Sequence, residues 1–235
     1  MINQDPRVLP SQLGVRPAAQ LSVGFLSQAF LWMFAGLFIT AVTAWLVQSN
    51  PSLVEAAAGL YLPIIIGQFA LVIVISAAIS RLSATLALLL FFIYSATMGV
   101  TLSFIFLAYD FGSIVTAFVS ASAMFGAAAL YGAVTKRSLA SMGGYLFMAL
   151  IGIIVASFLN LLIFQSVTLD LGISILGVLV FVGLTAWNVQ KISHGDYAVA
   201  TGSMEKGAVI AALMLYLDFI NIFLFLLRIF GGGRR

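Results

Sequence analysis

Polar residues cut this chain into long apolar runs. Between residues 25 and 230 the pattern repeats, with a stretch of hydrophobic positions closed by a short polar break. The runs are close to the ~20 residues that a helix needs to cross the hydrocarbon core of a bilayer. Seven qualify, at about 25–48, 60–79, 84–108, 113–134, 144–165, 170–190 and 207–230. The breaks are Asn50-Pro51 with Glu55, Ser80 to Ser83, Tyr109 to Gly112, Thr135 to Ser138, Ser166 to Asp170, and a longer polar stretch from Ser193 to Lys206. The pattern predicts an all-α polytopic membrane protein of seven transmembrane helices. Residues 1–24 read as a flexible tail, 25–230 as one membrane domain and 231–235 as a short basic tail. The first 24 residues hold Pro6, Pro10 and Pro17 and no continuous apolar core, so they are not a cleavable signal peptide and the first helix must direct insertion.

Composition agrees. The 235 residues are 63% hydrophobic and 7% charged, with a mean hydropathy of +1.20. A soluble domain is nearer half apolar and about a quarter charged. The net charge of +3 does not signal nucleic acid, because ten Lys and Arg spread over loops and tails make no concentrated patch. The chain has no cysteine, which excludes disulfides and thiolate metal sites, and its one histidine, His194, excludes a multi-His cluster.

The placement of the charges predicts orientation, since Lys and Arg near helix ends stay on the cytoplasmic side. The amino-terminal tail (Arg7, Arg16) and connections two, four and six (Arg81; Lys136 and Arg137; Lys191 and Lys206) carry the loop cations. Connections one, three and five carry Glu55, Asp110 and Asp170. The amino terminus is therefore expected in the cytoplasm. Seven crossings then put the basic residues after Gly231 outside, against the rule, so either these late charges are overridden by six consistent predecessors, the favoured reading, or the seventh segment does not fully cross.

Ionisable groups within the spans come next, because a charge at the bilayer centre costs about 2.5 kcal/mol or more. Asp218 lies mid-span in Leu213-Met-Leu-Tyr216-Leu-Asp218-Phe-Ile-Asn221-Ile-Phe-Leu-Phe-Leu-Leu-Arg228. Asn221 follows at i+3, so the two form a polar stripe expected to point into the bundle. A structural carboxylate that holds helices together fits the same position. Asn188, three residues inside the basic end of helix six, reads by itself as an interfacial hydrogen-bonding residue. Arg81 and Arg228 read as snorkelling cations, and Trp32, Trp45 and Trp187 as an interfacial aromatic belt. Gly99/Ser103 and Ser122/Gly126, small residues four apart, are candidates for close helix approach. No helix carries a mid-span lysine for a retinal Schiff base, and a buried nucleophile–base pair and a phosphate-binding loop are also missing. The chain is not expected to be an enzyme and needs no cofactor. The carboxylate and amides that remain suit protons and hard cations such as Ca²⁺, for which Asp218 is a weak ligand.

Thr185-Ala-Trp-Asn-Val-Gln-Lys-Ile192, followed by Leu215-Tyr-Leu-Asp-Phe-Ile-Asn-Ile-Phe-Leu-Phe-Leu-Leu-Arg-Ile-Phe-Gly231, resembles the Bax inhibitor family (transmembrane Bax-inhibitor-motif proteins) in its bacterial branch. The resemblance implies six helices around a central seventh and a pH-sensitive Ca²⁺ leak channel in the bacterial cytoplasmic (inner) membrane. It also implies a sensor of two aspartates, one each from helices six and seven. Asp218 matches the second, while Asn188 stands where the family usually has the first. Arg81 matches, by position, an arginine that latches the sensor in the closed state. Two close carboxylates titrate as a coupled pair, and an Asp beside an Asn lacks that like-charge interaction, so a pore with an altered pH gate is expected. At 1.5 Å per residue Asp218 lies about 18 Å from Lys206 and Asn188 only about 4 to 5 Å from Lys191, so they meet only if helix seven begins outside the bilayer.

Two other functions fit the sequence. A non-conducting regulator would bind a membrane protease or other membrane partner through the Met1 to Val23 tail and the Ser193 to Lys206 stretch. A proton-coupled transporter would show saturable counterflow.

Overall fold

The structure, a computed structural model, describes residues 19–231, with side chains from residue 23. The expected tail from residue 1 to 18 and the last four residues of the basic tail lie outside the described residues. Every described element is helical: α1 (Ala19–Gln48), α2 (Pro51–Gly59), α3 (Tyr61–Ala78), α4 (Ala84–Ser103), α5 (Ile105–Ala108), α6 (Phe111–Val134), α7 (Ala140–Leu159), α8 (Val167–Ser193), α9 (Asp196–Thr201) and α10 (Met204–Gly231).

 

Local chemistry sets these boundaries. Asn50, Ser83 and Asp110 cap α2, α4 and α6, their side-chain oxygens accepting from the N–H groups of Ser52 (3.2 Å), Leu86 (3.2 Å) and Ser113 (3.0 Å). Pro51 opens α2 at the position where a missing N–H costs nothing. α7 runs to Leu159 and continues through a π-turn, Asn160–Phe164. There the Asn160 side chain donates to Ser166 O (3.1 Å) and accepts from Ser166 N–H (3.0 Å), closing the connection to α8.

Seven helical stretches are long and apolar enough to span a membrane, so the protein is an all-α multi-pass membrane protein. They are Val23–Gln48, Tyr61–Ala78, Ala84–Ala108, Phe111–Val134, Ala140–Phe164, Val167–Ser193 and Met204–Gly231. Each lies close to the run that predicted it. The seventh differs from the others in burial: its most apolar stretch is 78% buried, against 11 to 33% in the other six.

Three boundaries depart from the sequence pattern. α1 begins at Ala19, inside the stretch expected as tail, and the first break contains α2. The Ser193 to Lys206 stretch contains α9, which buries Tyr197 and Ala198. Gly207 of α10 lies so close to Ala198 that a Cβ would come within 2.8 Å of its Cα, so this short polar-looking segment is packed.

The helices form two compact units. One comprises the chain up to Phe104 together with Lys191–Tyr216. Within it Thr40 (α1) sits 2.8 Å from Ser95 O (α4) and 2.7 Å from the hydroxyl of Tyr216 (α10). The Thr40 hydroxyl donates to a carbonyl and accepts from Tyr216. Phe91 and Tyr94 meet the Tyr216 ring edge-on at 5.5 and 5.7 Å. Lys206 donates to Ser80 O (3.1 Å), which puts connections two and six at the same end of this unit. The other unit comprises Ile105–Gln190 and the chain from Leu217 onward. It holds α6, α7, most of α8 and the second half of α10, with Phe118 and Phe125 edge-on to Phe219.

Of the two candidate small-residue pairs, only one marks a close approach. A Cβ on Gly99 would fall 2.5 Å from Thr40 O and 2.7 Å from Thr43 Cβ, whereas one on Gly126 meets nothing within 4 Å. Gly99→Ala is therefore expected to cost about 1–3 kcal/mol by forcing α1 from α4, and Gly126→Ala to be neutral. Thermal unfolding of the two variants in detergent checks this; equal melting temperatures would contradict it.

Candidate functional site

The site lies on α8 and α10, in the unit that contains residues 105–190 and 217 onward. α8 buries one stripe, through Ile173, Ser174, Gly177, Val178, Phe181, Leu184, Thr185, Asn188 and Val189, at the three- and four-residue spacing of a helix face. α10 is buried without a break from Gly207 to Leu213, and Leu215, Tyr216, Asp218, Phe219, Ile220, Ile222 and Phe223 continue the enclosure. A carboxylate on such a helix has no water within reach and needs a partner from the protein.

That partner is Asn188. Its Nδ2 donates to Asp218 Oδ2 at 2.7 Å, and both residues are 4% exposed. The distance is short, as expected when the acceptor is a carboxylate. The two residues singled out in the sequence are thus brought together. They meet because α10 begins at Met204, 14 residues and about 21 Å before Asp218, while Asn188 is five residues from the end of α8.

The other candidates fall elsewhere. Asn221 is only half-buried, and its Nδ2 donates to Leu217 O of the preceding turn (2.7 Å). It satisfies itself within its own helix, and the expected polar stripe narrows to Asp218. Arg81 is exposed in the turn after α3, and its guanidinium forms no ion pair or hydrogen bond among the described residues. His194 is exposed.

Sequence reasoning missed three groups. Arg228, read as a snorkelling cation, pairs with Asp170 at 3.6 Å and lies 5.5 Å above the ring of Phe225. The signal was available, because Asp170 opens α8 and Arg228 closes α10, so antiparallel neighbours bring the charges together. Gln190, also buried, accepts from Leu139 N–H through Oε1 (2.7 Å) and donates through Nε2 to Arg137 O (2.9 Å), fastening the connection between α6 and α7 to α8. Trp187, assigned to the aromatic belt, instead packs with Ala128, Leu139 and Ala186, close enough to Gly143 that a Cβ there would lie 2.5 Å from its ring. Trp45 is exposed, as a belt residue would be.

The family described as "Inhibitor of apoptosis-promoting Bax1" matches residues 23–235. The chain is 44% identical over 226 residues to the inner membrane protein YbhL of Escherichia coli K12, covering 94% of this chain and 96% of that protein. It is 44% identical over 215 residues to an uncharacterized protein of Borreliella burgdorferi, covering 89% and 92%. An uncharacterized protein of Deinococcus radiodurans is 41% identical over 211 residues, covering 89% and 90%.

Replacing the buried donor should expose the cost of an unsupported carboxylate. Asn188→Leu is expected to lower stability by about 1–3 kcal/mol, seen as a lower melting temperature in detergent, and the double variant Asn188→Leu/Asp218→Leu should recover most of it. No recovery in the double variant would mean that the two side chains are not energetically coupled.

Proposed function

The chain belongs to the Bax inhibitor family, and on that premise we propose that it is a passive leak pathway for Ca²⁺ in the bacterial inner membrane, with the Asn188–Asp218 pair as its sensor. The observation that carries this reading is the buried 2.7 Å contact between an amide near the end of the sixth span and a carboxylate in the middle of the seventh. Ionisable residues at that depth mark ion or proton pathways more often than scaffolding. A carboxylate and amide oxygens are hard ligands for Ca²⁺, and a single carboxylate favours brief occupancy over tight storage. The protein is a conduit in this reading and performs no catalysis. Its amino terminus is cytoplasmic, as the alternation of loop charges requires.

The amide gives the sensor a definite chemical character. Two carboxylates can share a hydrogen bond only while one holds a proton, so their contact responds to pH. An amide N–H donates whatever the pH. The Asn188–Asp218 contact therefore persists without a shared proton, and the pH response of the leak is blunted relative to a two-aspartate sensor. Arg81 serves as a latch for the closed state, a role carried from the family by position.

Ca²⁺ entry into dye-loaded proteoliposomes tests the proposal. The wild type is expected to conduct with a shallow pH response near neutrality, Asp218→Asn to change the flux, and Asn188→Asp to acquire a steep response. Folded protein that carries no Ca²⁺ in any of the three would instead favour a non-conducting regulator that binds a membrane partner.

A further inference from the structure

The face of α8 that carries Asn188 carries other polar groups, arranged in layers. Asp170 and Asn188 are 18 residues apart, about five turns, so they share one face. Between them on that face lie Ser174, Gly177, Phe181 and Thr185. α10 offers Asp218, Phe225 and Arg228 in the opposite order. The contacts match layer by layer: Asp170 with Arg228 at 3.6 Å, Gly177 and Phe181 with Phe225, and Asn188 with Asp218 at 2.7 Å. Polar groups thus occupy both ends of the seam and an aromatic layer closes its middle.

The middle layer is tightly built. A Cβ on Gly177 would lie 2.6 to 2.7 Å from three carbons of the Phe225 ring, so the ring occupies the space that a side chain would fill. Phe181 lies against the Phe225 ring at 5.9 Å between centroids, and both rings are buried. Arg228 lies 5.5 Å above the Phe225 ring while paired to Asp170, so the outer ion pair also holds the ring in its notch. Next to this layer, one turn from Asp170, Ser174 is 0% exposed and its hydroxyl makes no hydrogen bond among the described residues. A buried hydroxyl without a partner is costly. Helical serines commonly bond the carbonyl one turn back, and this one does not.

We propose that Phe225, seated in the notch at Gly177 and held by the Arg228–Asp170 pair, is a hydrophobic gate on a polar path that runs along the α8–α10 seam past Ser174. Apolar constrictions close such paths by excluding water. When the ring leaves the notch, water enters the seam and hydrates the Ser174 hydroxyl, and Asp170 and Asp218 become the polar groups at either end of a continuous route. The proposal rests on the leak reading for its cargo but on geometry alone for the gate.

The absence of cysteine from the chain makes a direct test simple. A thiol introduced by Ser174→Cys reports water in the seam through its reaction with a small water-soluble thiol reagent present on both sides of the bilayer, and Ca²⁺ flux reports conduction. The thiol is expected to react slowly in the otherwise unchanged chain and about tenfold faster when combined with Phe225→Ala. Phe225→Ala should also raise the flux about tenfold. Gly177→Ala, which displaces the ring without removing it, should raise it by a smaller factor. Phe147→Ala, which removes an exposed ring on α7, should leave flux at the wild-type level. A thiol equally unreactive with and without Phe225, in folded protein, overturns the gate. So does a conducting wild type whose flux neither Phe225→Ala nor Gly177→Ala alters. If the thiol opens as expected but no variant carries Ca²⁺, the gate stands and the Ca²⁺ reading falls.

Discussion

The carboxylate of Asp218 sets the terms for the last helix. A charged or polar group in the middle of a span has no water to turn to, and its cost is met only by enclosure and a hydrogen bond from the protein. Both are present: α10 is the most buried of the seven spans, and Asn188 supplies the donor. Enclosure in turn constrains the sequence of α10. The helix is apolar on all faces from Gly207 to Leu213, and it enters through Gly207, Ala208, Ala211 and Ala212, small residues that let neighbouring backbones approach. A lipid-facing helix has no need of that economy of size.

Four polar groups of α10 beyond its first turn are settled within their own unit, each by a different device. Tyr216 shares a hydrogen bond with Thr40, which itself reaches Ser95 O. Asp218 receives the Asn188 amide, Asn221 turns back to Leu217, and Arg228 reaches Asp170. In a medium without water every such group is either satisfied or destabilising, so these partners fix the rotation of the helix about its axis more firmly than apolar packing does. A quarter turn would break the Tyr216 and Asp218 contacts and expose neither group to solvent.

The positions of the seven spans were legible because apolar length is written directly into the chain, and the caps at Asn50, Ser83 and Asp110 fall where the polar breaks are. Asp218 was legible as a site because a lone carboxylate in an apolar run is an exception that demands a reason. The partnerships were less visible. Arg228 looked like a snorkelling cation and Trp187 like a belt residue, because a side chain near a helix end gives the same sequence signal whether it faces lipid or a neighbouring helix. Gly99 and Gly126 have equivalent surroundings in the sequence, and only the packing of α1 on α4 distinguishes them. α9 escaped because six residues are too few to show a period, and its burial is imposed by Gly207 of α10.

The layers along α8 and α10 differ in what each can sustain. The Asp170–Arg228 pair is more than two-fifths exposed on both sides, and an exposed pair of this kind contributes only about 0–1 kcal/mol. By itself it is a weak fastening. Its position over Phe225 changes its role, because the guanidinium then meets a carboxylate and an aromatic face at once and has two reasons to stay. The Asn188–Asp218 contact is the opposite case, deeply buried and short, where loss of the amide takes a donor from a carboxylate enclosed in the protein. A seam with a weak, exposed fastening at one end and a strong, buried one at the other opens first at the weak end. The exposed end therefore responds to salt and to charges outside the protein, while the buried end responds to what reaches the carboxylate through the seam.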